Sequence, residues 1–193
     1  MRRRGPALAI ALIGSLMHAT AARAADAATA STALPPGSIY RLDAALTDQS
    51  GRRIGLDAYR GQPVIVTMFY ASCPAACPLL IDTIRAVERS LEPKRRAQLR
   101  VLMVTVDPVR DTPAALTALA KARRIDPARW TLATSDEATI RKIAALLSIQ
   151  YRKLPDGEFN HSSVLTVLSR DGEILRRSSV LGRVDPEIVA ALP

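Results

Sequence analysis

From residue 38 onward the chain alternates between short apolar runs and amphipathic stretches. PVIVTMFY, residues 63–70, is apolar and rich in β-branched side chains, the pattern of a strand buried on both faces. LRVLMVTV, Leu99 to Val106, is a second such run. Between them Leu80, Ile84, Val87 and Leu91 recur at helical spacing. Strand, helix and strand in that order predict a right-handed crossover between parallel strands. Thr112-Pro113 predicts another helix start, with proline at the first position. Ile140, Ile143, Ala144 and Leu147 stripe a third helix. SVLTVLSRDGEILRR, 163–177, predicts a hairpin about its Asp-Gly turn, and Asp185-Pro186 a short last helix. Upstream, strand-like pieces near 39–46 and 52–56 flank the turn signal Asp48-Gln49-Ser50-Gly51, an N-terminal hairpin extension.

The elements add up to an α/β domain: a mixed central sheet with flanking helices, in thioredoxin-like order. The first 24 residues do not fit it. Arg2, Arg3 and Arg4 precede an apolar run from Ala7 to Met17, and Ala22-Arg23-Ala24 follows. That order is the order of a secretory signal peptide, with an uncleaved N-terminal anchor as the alternative. Residues 25–37 are small, polar and proline-containing, a flexible tether; 38–193 is the folded domain. The expectation is an exported protein, periplasmic or otherwise extracytoplasmic. Loss of the leader removes those three arginines and Arg23, so the formal charge falls from +9 to +5. The remaining basic residues are scattered and aromatics make up 4% of the chain, which argues against a nucleic-acid partner.

Chemistry concentrates in ASCPAACPLL, residues 71–80, which holds both cysteines, Cys73 and Cys77. The first lies just past the end of a buried strand, where open α/β sheets bind ligands. The second lies at or near a helix start, where N–H groups favour a thiolate. An i, i+4 pair on a helix has Cα atoms roughly 6 Å apart, which suits a disulfide, a redox dithiol or one shared metal ion. A bridge closing so short a loop restrains little of the unfolded chain. A closed structural zinc site wants four ligands, and beyond the leader the chain offers those cysteines and His161. His161 is expected to open the apolar strand Val164–Leu168. If that run pairs antiparallel with 63–70, its start meets the cysteine end. Two thiols and an imidazole make a low-coordinate, soft donor set of the kind that selects copper.

FYASCPAACPLL, TVDPVRDTP at 105–113 and NHSSVLTVLSRDG at 160–172 together resemble the SCO/SenC family, thioredoxin-like copper proteins that assist assembly of the copper A centre of cytochrome c oxidase. The resemblance spans about residues 38–192. It implies one copper ion per chain, Cu(I) or Cu(II), with Cys73, Cys77 and His161 as metal ligands. It further implies a copper-receiving oxidase subunit or other copper protein as partner, and a copper donor or thiol reductant. The implied function is a copper-delivering metallochaperone rather than an enzyme. The alternative is an exported thiol–disulfide oxidoreductase acting on cysteines of a copper protein, with Cys73 and Cys77 as its redox pair. The chain departs from the family where an acidic residue often lies between the cysteines, since Ala75 and Ala76 stand there, and at Asn160, where aspartate is frequent. TVDPVRDTP reads as a turn and helix cap near the site, and Met68 and Met103 as core residues.

Overall fold

The computed structural model describes residues 33–74 and 76–193; the expected leader and most of the tether lie outside them. A hairpin of β1 (Leu46–Asp48) and β2 (Arg53–Ile54) comes first, then β3 (Val64–Phe69), α1 (Ala76–Ser90) and α2 (Pro93–Gln98). After β4 (Arg100–Thr105) come α3 (Pro113–Ala122), β5 (Trp130–Thr134) and α4 (Glu137–Leu147). The chain closes with β6 (Tyr151–Lys153), β7 (Phe159–His161), β8 (Leu165–Leu168), β9 (Ile174–Ser178) and α5 (Pro186–Ala191).

Seven strands form one sheet in the order β2-β1-β5-β4-β3-β8-β9, and β6 and β7 pair separately. β3 runs parallel to β4 and antiparallel to β8, with Val64 opposite Leu168 and Val66 opposite Thr166. The two apolar runs thus become the middle of the sheet. Every residue of β3 is buried, and Met68 and Met103 pack in the core. Helical stripes supply the cover: Leu80, Ile84 and Val87 from α1, Ile140, Ile143 and Leu147 from α4. This is the thioredoxin-like α/β architecture that the apolar pattern implies. The capping residues act as expected, since the Thr112 side chain accepts from Ala115 N–H and that of Asp185 from Glu187 N–H.

Three parts differ from the sequence-based expectation. Residues 39–41 wind into a 3-10 turn because the Ser38 side chain accepts the Tyr40 N–H, so the first strand starts only at Leu46. β5 was absent from the apolar pattern; its WTLAT has threonines at two of five positions, yet it lies buried between β4 and β1. His161 does not open the β8 strand. It ends β7, in a small hairpin whose other strand is Tyr-Arg-Lys. That hairpin is mostly polar and half-exposed, so no alternation marks it.

Candidate metal centre

The antiparallel β3–β8 pairing carries the chain segment after β7 toward the carboxyl end of β3, the end that leads to the cysteines. There Cys73 N–H donates to Tyr70 O at 3.3 Å and turns the chain. α1 then begins at Ala76, and Cys77 in its first turn donates its N–H to Cys73 Sγ at 3.4 Å. Both cysteines are buried, and no disulfide joins them.

The helix start therefore acts on Cys73, whose sulfur receives its N–H, rather than on Cys77 as the sequence suggested. Burial pushes the Cys77 thiol well up, and the neighbouring Cys73 pushes it further. A thiolate is costly in such a corner without a cation to balance it. A soft metal cation supplies that balance and deprotonates coordinating thiols outright.

His161 sits opposite Tyr151 in the β6–β7 pair. Its Nδ1 lies 3.2 Å from Ser162 O. A carbonyl only accepts, so the proton belongs on Nδ1 and the free lone pair on Nε2. Nε2 is buried and has no hydrogen-bond partner among the described residues. Burial also lowers the imidazole pKa, which keeps the ring neutral. An orphaned buried lone pair on a neutral imidazole fits a metal ligand, since metal-binding histidines ordinarily hold their other N–H on a carbonyl or carboxylate.

The structure brings Cys73 and Cys77 together but does not bring His161 to them: among the described residues no three Cys, His, Asp or Glu side chains form a metal-holding group. Tyr70 touches both halves. Its ring stands edge-on to His161 and tilted against Phe159, with centroids 5.7 Å apart in each case. Burial raises the Tyr70 pKa, and the neighbouring Cys73 and Glu158 raise it further. Sequence reasoning missed Tyr70. Its one signal was an aromatic residue three positions before a cysteine, at a strand end.

The TVDPVRDTP segment lies beside the same corner. Asp111, buried, accepts the Ala71 N–H at 2.9 Å and the Thr105 hydroxyl. Thr105 in turn accepts the Asp107 N–H at 2.9 Å. Asp107, also buried, pairs with Arg110, and Arg110 reaches Glu158 at 3.1 Å.

Residues 38–191 match the sequence profile of the SCO1/SenC family. The chain is 30% identical over 148 residues to the mitochondrial SCO2 homolog of Bos taurus, covering 72% of this chain and 54% of the relative. It is 25% identical over 140 residues to an SCO2-like protein of Rickettsia conorii, covering 69% of this chain and 66% of the relative. The chain thus matches less than two thirds of the length of either. Among solved structures it is similar to Bradyrhizobium japonicum ScoI with copper bound, at a TM-score of 0.65 and 28% identity, covering 77% of this chain and 94% of that one.

Proposed function

The chain belongs to the SCO1/SenC family, and from that premise we propose that it is an exported copper-binding metallochaperone that delivers copper to, or matures the copper A site of, cytochrome c oxidase. Its ligands are Cys73, Cys77 and His161, holding one copper ion per chain. One observation carries this reading: next to a buried pair of cysteines, the Tyr70 ring meets a neutral imidazole whose buried Nε2 has no hydrogen-bond partner among the described residues. The cysteines supply soft anionic donors in a corner that needs a cation, and the imidazole completes a three-ligand site. A low-coordinate site suits cargo, because an incoming donor from a recipient can attack it without first displacing a fourth ligand.

The thiol–disulfide reading has its own support. Cys77 N–H points at Cys73 Sγ, the kind of contact that activates a thiolate. The two functions separate at His161. Titration of Cu(I) and Cu(II) into reduced wild type should show one ion per chain, and Cu(II) a strong thiolate charge-transfer band. His161→Ala should lose tight copper binding and fail to restore oxidase assembly in a strain lacking the protein, while its thiols still oxidise and reduce. Normal oxidase assembly by a stable His161→Ala protein that binds no copper would leave only the oxidoreductase standing.

A further inference from the structure

Neighbouring residues of one loop reach the two halves of the site. Asp111 takes the Ala71 N–H, two residues before Cys73. Arg110 takes Glu158, three residues before His161. The loop itself is anchored from below: Thr105, at the end of β4, donates to Asp111 and accepts the Asp107 N–H, while buried Asp107 holds Arg110. We infer that the loop after β4 is a brace that sets the histidine hairpin against the cysteine turn, with Arg110 and Glu158 as positioning residues for His161. The inference rests on the copper reading of the site.

Three physical points carry it. β6 and β7 form their own two-stranded sheet and do not pair with the central one, so the hairpin is held by contacts outside any sheet: Tyr151 and Phe159 pack on the core, the Tyr70 ring meets Phe159 and His161, and Arg110 bridges to Glu158. An isolated two-stranded hairpin is marginally stable and needs outside contacts. Glu158 sits where the turn of that hairpin re-enters β7: Leu154 N–H donates to its carbonyl at 2.7 Å and its own N–H donates to Asp156 at 3.0 Å. Holding Glu158 therefore holds the strand that ends in His161. Finally, Arg110 is not a loose surface cation. Its guanidinium spans a buried carboxylate and Glu158 at once, a geometry for which arginine's planar fork is suited and lysine's single ammonium is not.

The test uses Glu158→Ala, Glu158→Gln and Arg110→Lys in the full chain, each with its melting midpoint recorded. Hydrogen exchange on the metal-free protein reads the hairpin directly. Amides of 159–161 should lose protection in Glu158→Ala while those of β3 and β4 keep theirs, with Glu158→Gln intermediate and Arg110→Lys loosened from the other end. Cu(I) affinity, measured by competition with a chromophoric chelator, should fall about tenfold in Glu158→Ala. The Cu(II) charge-transfer band should shift as the imidazole is held less well. Unchanged protection of 159–161 in Glu158→Ala would overturn the brace. So would a loosened hairpin that still binds copper with wild-type affinity and spectrum. If wild type takes up no copper, the copper reading fails by that result alone, and the exchange data still decide whether Arg110 and Glu158 hold the hairpin.

Discussion

The ring of Tyr70 meets that of His161 edge-on, with an interplanar angle of 77° and centroids 5.7 Å apart. Tyr70 belongs to the cysteine side, at the end of the strand that leads to Cys73, and His161 to the separate hairpin. Together with the Tyr70–Phe159 contact, it joins the two halves of the candidate site through their rings. Edge-to-face pairs are worth about 0.5–1.5 kcal/mol beyond area burial, enough to bias a small hairpin.

Tyr70→Phe and Tyr70→Ala should therefore behave differently. Phenylalanine keeps the edge contact and loses only the hydroxyl, which lies beside Cys73 and Glu158. It should bind copper with near wild-type affinity. Alanine removes the ring and should weaken Cu(I) binding about tenfold, as loss of other outer-shell contacts does. Chelator competition on both variants checks this; equal affinities would show that the ring contact does not matter.

Without metal or reductant, Cys73 and Cys77 should join in an intramolecular disulfide in air. Cys73 Sγ already lies 3.4 Å from the Cys77 backbone nitrogen, and an i, i+4 pair falls within the Cα range that a bridge spans. Bound copper should protect both thiols. Alkylation followed by mass measurement reports the number of thiols. Two alkylated cysteines after prolonged aerobic, metal-free incubation would contradict the geometry.

A pH-dependent contribution to stability should come from Asp48 in the N-terminal hairpin. Burial alone would raise its pKa, but hydrogen bonds from Ser50 and Arg52 outweigh burial and lower it. A carboxyl lowered on folding stabilises the native state above its unfolded pKa, and that stabilisation is lost as pH falls through the folded value. Asp48→Asn should thus cost about 2 kcal/mol at pH 7, in the range for hydrogen bonds to a charged group. The gap to wild type should narrow as pH drops below about 4. Urea melts across that window test it; a gap independent of pH would rule out the charge as its source.

Two glycines with the same backbone should respond unequally to alanine. Gly51 and Gly172 both have φ of 81°, which costs an L-residue about 1–2 kcal/mol. Around Gly51 a Cβ would meet nothing within 4 Å, whereas at Gly172 it would lie 2.6 Å from the Tyr40 ring and 2.7 Å from Ser38 Oγ. Gly51→Ala should cost about the backbone strain alone. Gly172→Ala should cost about 1–3 kcal/mol more through overpacking. Thermal melts compare them, and equal destabilisation would mean that the turn relaxes away from Tyr40.

What the sequence determined by itself is local. β-branched runs at 63–70 and 99–106 are apolar at almost every position, so burial on both faces and the centre of a sheet follow from hydrophobicity alone. Helical stripes, proline starts and the Asp-Gly turn are likewise readable within one window of chain. So is the cysteine spacing, because a strand end followed by a helix start places i and i+4 at one corner. Only the tertiary structure decided the rest. WTLAT becomes an inner strand because β4 and β1 flank it, not because of its own pattern. Tyr151–Lys153 and Phe159–His161 pair although their residues are polar or only half-buried. The Arg110–Glu158 bridge joins residues 48 apart, and the Tyr70–His161 contact joins residues still farther apart. Hydrophobic periodicity reports whether a residue is buried, not which distant side chain it meets. The candidate ligands were thus legible as residue types, while the ring and the brace that hold them depend on contacts between segments that no local pattern encodes.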